Sequence, residues 1–186
     1  MELEELAARR ERAVAVPARY RGATSPDADA LLADILSRSA SGAYVCGPVG
    51  SGKTWLACSV ALAAARDGRA GRVRFANAVA MLAGERDSLA DRTRSGGRLA
   101  PWLDAGLLVV DDLDKPRPTD WAVESLYLLF EHRCGAGLPT VVTANSDPAS
   151  LAARLGGDAM AQAVVDRLRD GARLVTLSGA SRRRWA

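Results

Sequence analysis

The octet Gly47-Pro48-Val49-Gly50-Ser51-Gly52-Lys53-Thr54 constrains the fold more than any other part of this sequence. It has the pattern of a phosphate-binding loop, in which Gly and four residues are followed by Gly-Lys-Thr. A short apolar stretch, residues 43–46, precedes it, and an apolar helical pattern over 53–66 follows it. Glycines allow successive N–H groups to turn inward around a phosphate, and the helix adds its positive end. The octet therefore predicts a strand–loop–helix unit that binds a nucleotide.

Lys53 is one of only two lysines in a chain that otherwise carries its positive charge on arginine. A compact ammonium fits between two phosphates better than a planar guanidinium does. We expect Lys53 to lie between the β- and γ-phosphates and the Thr54 hydroxyl to ligate Mg²⁺. The alternative is a glycine-rich turn that happens to precede a helix.

Strand and helix patterns alternate along the rest of the chain. Apolar stretches at 43–46, 73–77, 106–110, 139–145 and 173–177 predict strands. Helical patterns cover 1–15, 27–37, 53–66, 78–86, 119–134, 148–155 and 158–168. Residues 87–97 are polar and rich in arginine, which predicts a loop. This alternation is typical of a parallel five-stranded α/β sheet flanked by helices.

Composition narrows the remaining possibilities. The length of 186 residues suits a short N-terminal helix over 1–15 and one domain over 16–186. The net charge of +3 permits contact with nucleic acid without requiring it. Three widely spaced cysteines indicate neither a disulfide framework nor a zinc site. No apolar run is long enough to cross a bilayer, and the N-terminus is acidic, so we expect no membrane contact and a cytoplasmic protein.

A second acidic element follows an apolar strand in Leu107-Leu108-Val109-Val110-Asp111-Asp112. Open α/β sheets bind ligands at the carboxyl ends of their strands. We expect Asp111 to hold the Mg²⁺ shell. Asp112 would point to the other side by strand alternation and polarise the attacking water as a general base. Acidic residues also cap sheet ends without any catalytic role.

The strand over 139–145 ends in Asn145. An Asn at this position can hydrogen-bond both the γ-phosphate and the attacking water. Alternatively it is a turn residue before Ser146-Asp147-Pro148.

The order and spacing of these motifs resemble the AAA+ P-loop NTPases, above all the DnaC/DnaI helicase loaders and their relatives, the IstB transposition helpers. The segments that carry this resemblance are Val16 to Arg21, the glycine loop, Leu107 to Leu113, Leu138 to Asn145, Val165 to Leu168 and the tail Leu177 to Arg183. Together they span nearly the whole chain. The resemblance implies an AAA+ core with a reduced or absent lid, and an ATPase that binds ATP and Mg²⁺ between neighbouring copies of a homo-oligomer.

The resemblance also implies roles for single residues. Arg167 would reach the γ-phosphate of a neighbouring subunit as an arginine finger, with Arg169 and Arg173 as the other candidates. Without the resemblance, Arg167 is a solvated helix residue. Tyr20 would pack near the adenine.

Single-stranded DNA would contact basic residues in one of two regions, or in neither if these are solvated segments. The candidates are Arg86, Arg92, Arg94 and Arg98 in the first region and Arg182, Arg183 and Arg184 in the second. Arg182 and Arg183 are also the candidates for a second sensor arginine.

The resemblance predicts a DNA-replication protein of the helicase-loader type, whose partner is a replicative helicase. The alternative within the same fold is a transposition helper whose partner is a transposase. Loaders carry an N-terminal domain that docks on the helicase, and only about sixteen residues precede Pro17, so docking by that route is not expected. Alternatives of other classes are a P-loop kinase for a small molecule and a nucleotide-bound scaffold that does not hydrolyse ATP.

Overall fold

The computed structural model describes residues 2–90 and 99–179, apart from the side chains of residues 85–90. Its five strands are β1 (Gly42–Cys46), β2 (Val73–Asn77), β3 (Leu107–Asp111), β4 (Thr140–Ala144) and β5 (Arg173–Thr176). The described α-helices are α1 (Glu2–Ala13), α2 (Pro26–Leu36), α3 (Lys53–Asp67), α4 (Ala78–Ala90), α5 (Ala100–Leu103), α6 (Asp120–Gly135), α7 (Pro148–Arg154) and α8 (Ala159–Arg169). A 3₁₀ helix covers Ala18–Tyr20.

The strands form one sheet in the order β2-β3-β4-β1-β5, and every neighbouring pair is parallel. This confirms the predicted five-stranded parallel sheet. All carboxyl ends therefore lie at the same edge of the sheet. The paired end positions are Cys46 with Ala144 and Asn77 with Asp111.

Helices cover both faces of the sheet, and β3 shows how the sequence requires this. Leu107 and Val109 pack into a core with α2 and α3, whereas Leu108 and Val110 pack into the opposite core with α6, α7 and α8. All four side chains are fully buried. Each contributes roughly 1.5–3 kcal/mol relative to an exposed side chain. An apolar run without polar alternation is thus explained by burial on both faces.

Helix ends follow local side-chain chemistry. The Thr119 hydroxyl accepts from the N–H of Ala122 and caps α6, as predicted from the sequence. The carboxylates of Asp147 and Asp158 cap α7 and α8 in the same way. Helix α1 lies against α3, where Glu11 pairs with Arg66 at 2.6 Å. The division of the chain at residue 16 stays a prediction.

Some expectations differ from the structure. The segment predicted as a loop from Asp87 is helical as far as Ala90, and the remainder, 91–97, lies outside the described residues. The 3₁₀ helix and the four-residue α5 were not predicted, because segments this short show no hydrophobic periodicity. None of the described helices has the length and apolar character needed to cross a bilayer.

Candidate nucleotide site

The glycine-rich octet forms the connection from β1 to the first turn of α3, as the sequence predicts. Gly52 has a φ of 103° and is the N-cap residue of α3. At Gly47, φ is 147° and an added Cβ would lie 2.2 Å from the carbonyl oxygen of Leu177. Any side chain at Gly47 would therefore displace the segment after β5. The Oγ of Ser51 is buried and, among the described side chains, is one of two such polar atoms without a hydrogen-bond partner.

The side chain of Lys53 forms hydrogen bonds with the backbone of the loop. This side chain is buried, and Nζ donates to the carbonyl oxygens of Gly47 and Pro48, both at 2.8 Å. Burial lowers the pKa of the ammonium, and nearby carboxylates, Asp112 foremost, offset part of that effect. The charge is thus held at the loop by two carbonyl dipoles, which a phosphate oxygen can replace.

A cavity of about 640 Å³ opens beside this loop at the carboxyl edge of the sheet. That volume lies in the usual range for small-molecule sites. Most predicted site residues line it, namely Tyr20, Val49, Gly50, Gly52, Lys53, Thr54, Asp111, Asp112 and Asn145. Gly47, Pro48, Ser51 and Arg167 do not line it. The first three belong to the loop that bounds the cavity, and Arg167 lies elsewhere.

Thr54 and Asp111 meet at the cavity wall. The Thr54 hydroxyl donates to the two carboxylate oxygens of Asp111, at 3.0 and 3.3 Å. The Thr143 hydroxyl on β4 donates to the same carboxylate at 2.7 Å. Burial raises the pKa of Asp111, and these hydrogen bonds counter part of the rise. A hydroxyl and a carboxylate held together at the loop are the oxygen ligands that Mg²⁺ prefers.

Asp112 does not follow the strand alternation predicted for it. Strand β3 ends at Asp111, and Asp112 adopts a left-handed conformation with a φ of 57°. Its backbone N–H donates to the Thr143 hydroxyl at 2.9 Å. Because the backbone turns here, Asp111 and Asp112 both line the same cavity instead of facing opposite sides.

Asn145 lies just beyond β4, as predicted, but its side chain has a partner that the sequence reading missed. Its Nδ2 donates to the carboxylate of Asp114, at 3.2 and 3.4 Å. Asp114 is the third acidic residue of the run 111–114. It is 31 positions from Asn145 in the sequence, so no local pattern predicts the contact. The only signal for this contact in the sequence was the presence of a third aspartate, Asp114, shortly after Asp111 and Asp112.

Two aromatic side chains line the cavity. The rings of Tyr20 and Trp55 meet edge to face with centroids 6.4 Å apart. The Arg19 guanidinium lies 4.6 Å from the centre of the Tyr20 ring, and the Trp55 indole N–H donates to the carbonyl of Thr24. Trp55 and Arg19 were not singled out from the sequence. They provide flat surfaces next to the predicted adenine residue, Tyr20.

Arg167 lies on α8 and forms an ion pair with Glu131 of α6. It lines a different cavity, of about 680 Å³, together with Ser41 and Thr140 at the amino edge of the sheet. It is therefore remote from the nucleotide loop of its own chain. Of the other candidates, Arg173 pairs with Asp34 at 3.2 Å and Arg169 is exposed at the end of α8.

The DNA-binding candidates fall mainly outside the described residues. Arg92, Arg94, Arg98 and the tail residues Arg182, Arg183 and Arg184 are among those not described. Arg86 lies within α4. The predicted contact of these residues with single-stranded DNA stays a prediction, as does a second sensor arginine.

The family profile described as IstB-like ATP binding protein matches residues 29–186. An ATP-binding protein of an insertion sequence in Mycobacterium tuberculosis H37Rv is 32% identical over 137 residues, which are 74% of this chain and 53% of that protein. The insertion-sequence ATP-binding protein y4pL of Sinorhizobium fredii is 32% identical over 145 residues, 75% of this chain and 56% of that protein. The chain thus spans about half the length of these relatives.

The fold also matches a solved structure. The crystal structure of the DnaC helicase loader superposes with a TM-score of 0.69 and 23% identity, covering 87% of this chain and all of that one. The predicted resemblance is confirmed on both sides: the sequence relatives come from insertion sequences, and the fold is shared with the DnaC helicase loader. With a family match that covers most of the chain and a glycine-rich loop beside a cavity of suitable size, this chain belongs to the IstB-like ATP-binding protein family.

Proposed function

We propose that this protein hydrolyses ATP with Mg²⁺ at a site completed by a second copy of the chain, and that this cycle assembles a transposase on DNA. The observation that carries the proposal is one cavity that unites the phosphate loop, the Thr54–Asp111 oxygen pair and the acidic residue Asp112. ATP binding is a property of the family. The hydrolysis step, the metal and the partner are the proposed parts.

The residues divide the work by position. Lys53 and the loop N–H groups of residues 47–54 hold the phosphates, and Tyr20 lies near the base. Thr54 and Asp111 hold Mg²⁺, which neutralises charge on the phosphates when it is bound. Asp112 accepts a proton from the attacking water, and Asn145 helps to position that water.

The position of Arg167 supports the proposal that a second copy of the chain completes the nucleotide site. Arg167 lines a cavity at the amino edge of the sheet, whereas Lys53 and Thr54 lie at the carboxyl edge. Arg167 therefore cannot serve the nucleotide of its own chain without a rearrangement of α8. Its ion pair with Glu131 is about half exposed, and such pairs contribute only about 0–1 kcal/mol. The guanidinium is thus easily released to a phosphate on a neighbouring copy, which makes a homo-oligomer the active form.

A transposase is the favoured partner because both curated relatives come from insertion sequences. A replicative helicase is the second candidate, since the fold is shared with the DnaC helicase loader. Single-stranded DNA is the proposed nucleic-acid ligand, and the cytoplasm the proposed compartment, where ATP and DNA are both present.

A binding experiment separates the two partners. Immobilised protein with ATP and DNA is exposed in turn to the transposase of an insertion sequence from its own genome and to its replicative helicase. We expect ATP-dependent retention of the transposase alone. Retention of the helicase alone would replace the first candidate by the second. DNA retention should fall steeply with salt if phosphates are contacted.

Replacing Asp111 tests the proposed metal ligand. Because burial raises the pKa of this carboxyl, its ionised form is less stable in the folded protein than in the unfolded chain. We expect Asp111→Asn to raise the thermal unfolding midpoint of the nucleotide-free protein at pH 7 while increasing the Mg²⁺ concentration needed for half-maximal ATP hydrolysis. The stability gain should shrink as the pH falls toward about 4, where the carboxyl becomes protonated in both states.

One result would contradict the assignment of Asp111, and two others would contradict the proposed hydrolysis. An unchanged Mg²⁺ requirement in Asp111→Asn would remove Asp111 from the metal site. Transfer of labelled γ-phosphate to a small molecule instead of water would indicate a kinase. Complete absence of turnover with DNA and partner present would indicate a nucleotide-bound scaffold.

A further inference from the structure

Asp114 is a buried residue whose carboxylate accepts hydrogen bonds from the two residues that follow β4, Asn145 and Ser146. Only 9% of the residue is exposed. Its carboxylate accepts from the backbone N–H of Asn145 at 3.1 Å, from Asn145 Nδ2 at 3.2 and 3.4 Å, and from the Ser146 hydroxyl at 3.3 Å. The carbonyl of Ser146 in turn accepts from the buried Tyr44 hydroxyl at 2.9 Å. Asn145 is therefore fixed from both its backbone and its side chain.

This arrangement determines how the Asn145 amide is oriented at the nucleotide cavity. A carboxamide has one donor end, NH₂, and one acceptor end, the carbonyl oxygen. The donor end is directed to Asp114, while Asn145 itself lines the nucleotide cavity. Asp114 engages at least one of the two N–H groups, and the carbonyl oxygen is the only acceptor that the amide offers to a ligand. It can accept a hydrogen bond from water, but it repels the unprotonated oxygens of a γ-phosphate.

We propose that Asp114 is a positioning residue that holds Asn145 as a hydrogen-bond acceptor for the attacking water, and that the Asn145 amide does not bind the γ-phosphate. This inference rests on the proposed hydrolysis. Water has two O–H groups, and Asp112 and Asn145 line the same cavity as acceptors for them. With both O–H groups engaged, a lone pair of the water oxygen is left to attack phosphorus. Asp112 takes the proton as the P–O bond to the leaving ADP breaks.

A double-mutant cycle on turnover tests the link between the two residues. Asp114→Ala should lower kcat by about 10- to 100-fold, because small misplacements of a reacting group cost rates of this size. Asn145→Ala should lower kcat similarly. If Asp114 acts through Asn145, the double variant turns over no more slowly than Asn145→Ala alone. Multiplication of the two losses would overturn the proposal.

Nucleotide affinity provides a readout that a purely structural role would not reproduce and that needs no hydrolysis. We compare the dissociation constants of ADP and a non-hydrolysable ATP analogue by calorimetry with Mg²⁺. Asn145→Ala should leave the ratio of the two dissociation constants within about threefold of the wild-type ratio, because the amide makes no contact with the γ-phosphate. A threefold change in this ratio corresponds to about 0.6 kcal/mol. A clear loss of preference for the triphosphate would show that the amide nitrogen reaches the γ-phosphate, and would overturn the proposal even in a protein without turnover.

Asp158→Ala is the matched control for instability. It makes the same replacement and also removes a carboxylate that accepts from a backbone N–H, that of Ala161 at 2.7 Å. It lies at the start of α8, outside the nucleotide cavity. We expect it to lower the unfolding midpoint while kcat stays at the wild-type level. An equal loss of kcat in this variant would mean that lost stability explains the Asp114→Ala result, which contradicts the proposal. Absence of hydrolysis in the wild-type protein would instead contradict the proposed function.

Discussion

Lys53→Ala is expected to weaken ATP binding by about 30-fold or more, since removal of one partner of a buried charge pair costs about 2–5 kcal/mol. Lys53 is the first residue of α3 and one of the few charged side chains buried in the described structure. Its ammonium is already held at the loop by two carbonyl oxygens at 2.8 Å. A phosphate oxygen can replace one of these carbonyl oxygens as its partner. Calorimetric titration with ATP and Mg²⁺ measures the loss.

Lys115→Ala is the matched comparison because Lys115 is the other lysine of the chain and lines the same cavity. Its side chain is exposed, so water screens its charge. We expect its replacement to weaken ATP binding far less than that of Lys53. Equal losses would mean that the two lysines contribute only general positive charge. An unchanged affinity in Lys53→Ala would show that the glycine loop is not the phosphate site.

Local patterns in the sequence predicted the parts of the fold and site that depend on short segments. The glycine-rich octet follows an apolar strand pattern and runs into the start of a helix pattern, and the structure has the same order of strand, loop and helix. The run from Leu107 to Asp111 has no polar alternation, which requires helices on both sides of the sheet. Each signal is contained in one element and its ends.

Contacts between distant segments could not be predicted in this way. Asp114 and Asn145 meet because β3 and β4 are parallel neighbours, and the sequence does not give strand order. Trp55 meets Tyr20 because the 3₁₀ helix lies against the start of α3. The positive φ of Asp112 was missed because strand alternation was extended one residue beyond the strand.

Arg167→Ala is expected to leave ATP binding nearly intact and to lower kcat by about 1,000-fold or more, the range seen when an arginine finger is lost. Binding persists because Arg167 does not line the nucleotide cavity of its own chain. Catalysis fails because the charge that develops on the phosphates during transfer is no longer neutralised. Steady-state hydrolysis at saturating ATP, together with a separate binding titration, distinguishes the two effects. Arg169→Ala, at the exposed end of the same helix, should retain turnover.

Mixing variants tests whether the arginine acts on a neighbouring copy. Asp112→Asn subunits should bind ATP without hydrolysing it while still carrying Arg167. In an equal mixture with Arg167→Ala, about a quarter of the head-to-tail interfaces pair an intact Asp112 site with an intact arginine, and activity should recover in that proportion. A subunit that carries both changes supplies no arginine and should give no recovery. If the first mixture also stays inactive although the subunits assemble, Arg167 does not act across the interface. The role left for Arg167 would then be structural, because its ion pair with Glu131 joins α8 to α6.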